Sequence, residues 1–340
     1  MTNSIYLKRL IRGTVCVTLI CVVFYLYLPA QTSRIKKMNT SVGLEHVDVL
    51  CIGSSHMGYG LNPIQMYSDY GYATYVLWCG SQSPWQSYYY LKEALKYQKP
   101  SLVIVDVYKL GTTDDNAYED SQTVNNLLNT PLSINKIKAV MESKADSKLD
   151  IILRYPYIHD EYSSFSGFSL NKFIGNNDYS SMGYIYVDGV DTEEQRNYGR
   201  TDMRSVKGEM ALSPKNEKYL REIIEFCLKE NTSIILINAP WPMIDEETQQ
   251  RFNSIGEIAS EYNISFIDGN LLWDELGMDW TQDSWGDGGH LNHSGITKFT
   301  TYVENYINNN YYIPDRRNDI NYKEYDEAVE WLAESKKTDN

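Results

Sequence analysis

The chain has 340 residues, enough for one large α/β domain or two small ones. Its 45 acidic and 31 basic side chains give a net charge of −14 at pH 7, which argues against nucleic acid as a partner. The cysteines show neither metal-ligand spacing nor a disulfide framework, so we expect Cys51, Cys79 and Cys227 to be buried free thiols. We assign no cofactor and no metal.

The first segment of the chain is predicted to cross a membrane. Residues 13–33 contain no charge, and the stretch 15–28 is almost wholly apolar, about the length that spans a bilayer as a helix. We therefore predict a cytoplasmic N-terminus over residues 1–12, a transmembrane helix over 13–32 and a linker over 33–46. The remaining chain would lie outside the cell membrane. A cleaved signal peptide and a buried soluble helix are the alternatives, in that order.

Strand and helix patterns alternate after the linker. The predicted strands are short apolar runs, at Val47–Ile52, Thr74–Trp78, Ser101–Val107, Ser233–Ile237 and Ser265–Asp268. Helical patterns begin at Pro63, Pro84, Pro214, Glu246 and about Ser294. Helical crossovers of this length between apolar strands imply a parallel sheet.

The alternation stops between residues 111 and 212, where only 134–148 has a clear helical pattern. We predict that this insertion forms a cap over one edge of the sheet and selects the substrate. The main domain then spans 47–312. A charged C-terminal tail follows at 313–340, and it contains an amphipathic helical pattern.

The first predicted strand ends in Gly53-Ser54-Ser55, and a helix start follows at Asn62 and Pro63. Open α/β sheets bind and react with ligands at the carboxyl ends of their strands. A serine at this turn would be exposed beside a helix N-terminus, which favours negative charge. These features suit a nucleophile whose reaction develops an oxyanion, although an ordinary strand-to-helix turn has the same residues.

A second motif lies after the fifth predicted strand, where Asp287-Gly288-Gly289-His290 precedes a helix. A histidine can take the proton of a weakly nucleophilic serine, and a carboxylate can orient the imidazole and stabilise its charged form. We therefore predict Ser55, His290 and Asp287 as nucleophile, base and orienting acid. Ser54 and Asp283 are the alternatives for the first and last of these roles.

In this order and at these strand ends, the two motifs resemble the SGNH (GDSL-like) hydrolase family over about residues 47–307. The Gly-Ser-Ser-His start, the Asp-x-x-His-Leu-Asn-x-x-Gly end and Tyr157-Ile-His-Asp160 in the insertion are most similar to membrane-anchored Gram-positive members. The resemblance implies a flavodoxin-like three-layer sandwich with a five-stranded parallel sheet. It also implies an oxyanion hole made by the backbone N–H groups of Ser55 and Gly80.

The chain departs from the family at its third motif, Gly-x-Asn-Asp, whose asparagine side chain donates to the oxyanion. The corresponding stretch after the third strand, residues 105–111, contains no asparagine. Loss of one oxyanion donor typically lowers the rate about a hundred- to thousandfold. Tyr108 and Asn238 are the candidates to replace it.

The resemblance implies a membrane-anchored serine esterase or deacylase that works through an acyl-serine intermediate. Its expected substrate is an O-acyl group, such as O-acetyl, on cell-envelope carbohydrate, or another small ester. The 29 tyrosines against 8 phenylalanines would suit a sugar-rich surface. One alternative is an O-acyltransferase that modifies an extracellular polysaccharide with a membrane acyl-donor protein as partner. The other is an inactive, SGNH-derived glycan-binding module.

Overall fold

The computed structural model describes residues 2–30, 46–112, 121–153, 180–196, 201–286 and 289–338. The strands are β1 Val49–Gly53, β2 Thr74–Trp78, β3 Leu102–Asp106, β4 Ser233–Asn238 and β5 Ser265–Asp268. The helices are α1 Thr2–Ala30, α2 Ser55–Gly58, α3 Pro63–Tyr70, α4 Pro84–Ala94, α5 Tyr108–Thr112, α6 Ser121–Asn129, α7 Ile134–Glu142, α8 Lys148–Leu153, α9 Glu193–Arg196, α10 Pro214–Lys229, α11 Glu246–Glu261, α12 Trp273–Leu276, α13 His293–Asn310 and α14 Lys323–Thr338. Short 3₁₀ turns lie at Gly269–Leu271 and Ile320–Tyr322.

All five strands form one sheet in the order β2-β1-β3-β4-β5, and every pairing is parallel. This order is the one found in flavodoxin-like folds, which place ligands where the strand order reverses, between β1 and β3. The prediction of an α/β fold with a five-stranded parallel sheet is confirmed. The three central strands are apolar in their interiors because helices cover both faces of the sheet, and polar residues stand at the ends of β3 and β4.

Two of the predicted strands, β2 and β5, have the predicted bounds, and the others differ by one or two residues. The largest difference is at β1, which begins at Val49 and not at Val47. Asp48 precedes the strand and accepts two hydrogen bonds from Arg316, at 2.7 and 2.9 Å. Cys51, Cys79 and Cys227 are buried free thiols, as predicted.

The helices form a layer on each side of the sheet. On one side α3 packs against α13 and α14, and on the other α4 packs against α10. The predicted start of α3 is confirmed, because the Asn62 side chain accepts hydrogen bonds from the N–H groups of Ile64 and Gln65 while Pro63 occupies the first turn. These two layers leave the carboxyl ends of the strands as the edge on which a site can form.

The first helix does not bear out the predicted transmembrane segment at 13–32. α1 begins at Thr2 and includes Lys8, Arg9 and Arg12. Among the residues that the structure describes, no helix is long and apolar enough to cross a membrane.

The described parts of the insertion pack on the main domain. α6, α7 and α8 bury a second hydrophobic cluster against Trp85 and Tyr89 of α4. The helix predicted over 134–148 is divided, because α7 ends at Glu142 and α8 begins at Lys148. Further along, Val76 of the edge strand β2 donates its N–H to the carbonyl of Met182 at 3.0 Å, so this part of the insertion lies along the outer side of β2. The stretch 157–160 lies outside the described residues.

The segment predicted as a charged C-terminal tail contains the helix α14, which packs against α3. Its buried side chains are Tyr325, Ala328 and Leu332, spaced along one face of the helix. The Tyr325 ring stacks on Tyr67 of α3, and its hydroxyl donates to the carbonyl of His46 at 3.0 Å. The tail therefore joins the first crossover helix to the start of β1.

Candidate active site

The turn after β1 places Ser55 at the first position of α2. Ser54 is the N-cap of this short helix, and its hydroxyl accepts a hydrogen bond from the N–H of His56 at 3.3 Å. The first N–H groups of a helix have no acceptor within the helix, so the N–H of Ser55 is not used by the hydrogen bonds of α2. Ser54 is almost fully buried and Ser55 is partly exposed, which favours Ser55 as the serine that meets a substrate.

Asp106, at the end of β3, fixes the conformation of this turn. One carboxylate oxygen accepts the Ser54 N–H at 3.0 Å and the Ser54 hydroxyl at 2.7 Å. The other accepts the N–H of Tyr108 at 2.9 Å. Burial raises the pKa of Asp106, while its hydrogen bonds from Ser54 and Tyr108 and the positive charge of Lys109 act in the opposite direction. A carboxylate that is held this firmly is a positioning residue for Ser54.

His290 reaches Ser55 from a narrow loop. Ser284 and Leu291 form an antiparallel bridge, and the N–H of Trp285 donates to the carbonyl of His290 at 3.0 Å. The His290 Nε2 atom lies 3.1 Å from the Ser55 hydroxyl oxygen. Two predicted residues that are 235 positions apart in the chain thus meet at hydrogen-bond distance at the carboxyl edge of the sheet.

The structure gives separate outcomes for the two candidate acids. Asp287 lies outside the described residues. Asp283 is fully buried, and its carboxylate accepts the Asp279 N–H, the Ser294 hydroxyl and the Lys298 ammonium group at 2.6 to 2.7 Å. These contacts fasten the loop to the start of α13, which assigns Asp283 a structural role there.

The two predicted oxyanion donors follow adjacent strands. Gly53 is level with Trp78 in the β1–β2 pairing, and the N–H of Cys79 continues the ladder to the carbonyl of Gly53 at 3.4 Å. In this register Ser55 lies two residues after Gly53, and Gly80 lies two residues after Trp78. Their N–H groups are therefore brought to the same edge, where an oxyanion on a Ser55-bound acyl group would form.

The two candidates for the missing third donor differ in their surroundings. The Nδ2 group of Asn238 is fully buried and donates to the Asp268 carboxylate at 2.9 Å, so it secures the ends of β4 and β5. The ring of Tyr108 stacks on the ring of His56, with their centroids 3.3 Å apart. These contacts give Asn238 a structural role and make Tyr108 part of the wall behind the histidine.

Aromatic rings surround His290. The centroids of Tyr59, Trp241 and His56 lie 4.8, 4.9 and 4.9 Å from that of His290. Burial lowers the pKa of His56 well below its usual value, and the charges of His290 and Lys109 act in the same direction. His56 is therefore a neutral member of this wall.

Sequence reasoning did not identify Asp106, Trp241 or Tyr59 as parts of the site. Asp106 left a signal, because it is an acidic residue at the carboxyl end of a buried strand. The two aromatic residues left none, since their proximity to His290 depends on how the loops fold back onto the sheet.

A scan of protein-family models finds no match, and a search of curated proteins finds no match either. The geometry of the site therefore carries the functional argument.

Proposed function

We propose that this protein is a serine esterase or deacylase of the SGNH type, with Ser55 as nucleophile and His290 as general base. The observation that carries the proposal is the 3.1 Å separation of the Ser55 hydroxyl oxygen and the His290 Nε2 atom. A nucleophile and base at hydrogen-bond distance, next to backbone N–H donors, are the parts that acyl transfer requires. Asp287 remains the predicted orienting acid.

The proposed reaction has two steps. His290 accepts the proton of Ser55 while the serine oxygen attacks the acyl carbonyl, and the N–H groups of Ser55 and Gly80 stabilise the resulting oxyanion. When the tetrahedral intermediate collapses, His290 returns the proton to the leaving alcohol and an acyl-serine remains. Water then attacks this ester with His290 again as base, which releases the carboxylic acid and restores the serine.

We also propose O-acyl groups on carbohydrate as the substrate class. Tyr59 lies between Trp78 and Trp285, with ring centroids 6.2 and 5.5 Å away, and it contacts His290. These partly exposed rings offer flat apolar faces, which suits the face of a sugar ring. An extracellular location at the cell membrane remains a prediction. Treatment of intact cells with a protease that stays outside them, together with cell fractionation, tests it.

The proposal is tested with the purified full chain and an aryl acetate substrate. We expect Ser55→Ala and His290→Ala each to lower kcat/KM at least about a thousandfold, because both steps require both groups. His293→Ala is the matched control, because the ring of this histidine forms a hydrogen bond with the Tyr184 hydroxyl at 2.7 Å. Acetate release that is equal in the wild type and Ser55→Ala would contradict the proposal.

The same preparation distinguishes hydrolysis from transfer. Oligosaccharide acceptors are added to the reaction, and the acetylated sugar is measured against free acetate by mass spectrometry. Acetate as the main product in every case supports the esterase. Acetylated oligosaccharide as the main product would replace it with the transferase alternative, and a folded protein with no Ser55-dependent release would favour the glycan-binding module.

A further inference from the structure

The helix α6 of the insertion is fastened to the turn that contains Gly80. The Nδ2 group of Asn126 donates to the carbonyl of Gly80 at 3.0 Å, and the Nε2 group of Gln86 donates to the carbonyl of Thr123 at 3.4 Å. The hydroxyl of Tyr90 also donates to the carbonyl of Asn126. Gln86 and Tyr90 lie on α4, the helix that follows Gly80 in the chain. α6 is therefore held beside the predicted oxyanion hole by three separate hydrogen bonds.

Gln122 lies one helical turn before Asn126, on the same side of α6. A Cβ atom added to Gly80 would lie less than 3.0 Å from the Nε2 atom of Gln122, with the rest of the Gln122 side chain behind it. Because Cβ and N of one residue are about 2.5 Å apart, this Nε2 atom is no more than about 5.5 Å from the N atom of Gly80. The amide group thus occupies the space that a side chain at Gly80 would need.

We propose that the side-chain amide of Gln122 is the third oxyanion donor of this site, an inference that rests on the proposed esterase function. An amide NH₂ group carries two N–H donors and no charge, so it can stabilise an oxyanion without changing protonation. Of the two residues considered from the sequence, Asn238 is fully buried and donates to Asp268, while the ring of Tyr108 stacks on His56. Gln122 reaches the oxyanion hole from the insertion, 16 residues after the end of β3.

In this arrangement Asn126 is a positioning residue. Its hydrogen bond fixes the Gly80 peptide, and its place on α6 keeps Gln122 over the Cα atom of Gly80. An oxyanion on the Ser55-bound carbon would receive the Ser55 N–H, the Gly80 N–H and one N–H of Gln122. The absence of the family's asparagine after β3 is then compensated by a residue of the insertion.

The test compares Gln122→Met and Gln122→Glu with the wild-type full chain in aryl acetate turnover. Methionine keeps the length of the side chain without a donor, and glutamate replaces the NH₂ group by a charged acceptor. We expect kcat to fall about a hundred- to thousandfold in Gln122→Met and further in Gln122→Glu, with KM within about threefold and an unchanged shape of the pH profile. Asn125→Ala, a polar residue on the same helix, is the matched control and keeps wild-type kcat.

A second readout uses an alkyl boronic acid, which forms a tetrahedral anion on an activated serine. We expect its affinity to fall in Gln122→Met by about the same factor as kcat, while thermal unfolding shows that the variant is folded. A folded Gln122→Met variant with kcat within about threefold of wild type would overturn the inference and leave the proposed function intact. The same holds for a variant whose loss appears in KM while its boronate affinity is unchanged. Turnover that is equal in the wild type and in Ser55→Ala would overturn both the inference and the proposed function.

Discussion

At the scale of single residues, the site depends on how closely β1 and β3 approach each other. A Cβ atom on Gly53 would lie less than 3.0 Å from the Asp106 side chain. This contact lets the Asp106 carboxylate reach both the N–H and the hydroxyl of Ser54. Gly53 is therefore required by packing at the turn that presents Ser55.

We predict that Gly53→Ala destabilises the protein by about 1–3 kcal/mol and lowers aryl acetate turnover, because the new methyl group displaces Asp106 and with it Ser54. Gly256→Ala is the control. This glycine lies inside α11, where the described atom nearest to an added Cβ belongs to Phe266, at 3.5 Å. It should stabilise the protein by about 0.5–1 kcal/mol. Urea unfolding measures both, and equal effects of the two substitutions would contradict the account.

The sequence allowed Ser55 and His290 to be predicted because each follows a readable strand and stands in a short motif. It could not reveal Asp106 or Gln122 in the same way. Asp106 acts on a residue 52 positions away, and Gln122 approaches Gly80 from an insertion without strand–helix alternation. Such contacts depend on which strands are neighbours and on how the insertion folds back.

At the scale of elements, apolar runs and capping residues were sufficient to predict the five strands and most of the helices. The division between α7 and α8 was missed because the helical pattern continues across Ser143 and Ser147. The tail was harder to interpret, since its charges dominate the composition while one face of α14 is apolar. Burial of Tyr325 makes this helix part of the core.

We predict that Tyr325→Ala destabilises the protein by about 3–5 kcal/mol, because it removes a buried ring that stacks on Tyr67. Tyr325→Phe should cost about 1 kcal/mol, the value of the hydrogen bond to the carbonyl of His46. Glu327→Ala, on the exposed side of α14, should change the stability by less than about 1 kcal/mol. Chemical unfolding compares the three, and a Tyr325→Ala variant as stable as Glu327→Ala would show that α14 is not part of the folded unit.

At the scale of the whole molecule, two buried groups give opposite contributions to the pH dependence of stability. The unfolded chain protonates His56 near pH 6.5 while the folded protein keeps it neutral. Because of His56, the stability of the folded state therefore decreases as the pH falls below that value. Burial, with Asp69 nearby, raises the pKa of Glu304 to about 7. The folded state thus retains this proton between about pH 4.5 and 7, and stability falls as the pH rises through that range.

We predict that Glu304→Gln stabilises the protein above pH 7 by on the order of 1–2 kcal/mol. The effect is limited because Asp69 is exposed, so solvent partly screens the repulsion between its carboxylate and that of Glu304. The difference from wild type should shrink as the pH falls towards 4.5, where half of the unfolded chains are protonated at this position, and disappear below that pH. Urea unfolding at pH 5 and pH 8 measures it, with the exposed Glu257→Gln as control. A stabilisation of equal size at both pH values would contradict the assignment.

The central claim is that Ser55 is an activated nucleophile. The most direct measurement treats the wild-type full chain with a fluorophosphonate and maps the modified peptide by mass spectrometry. We predict one adduct, on Ser55, that is lost in Ser55→Ala and strongly reduced in His290→Ala. A folded protein that remains unlabelled, or that is labelled on Ser54, would contradict the account.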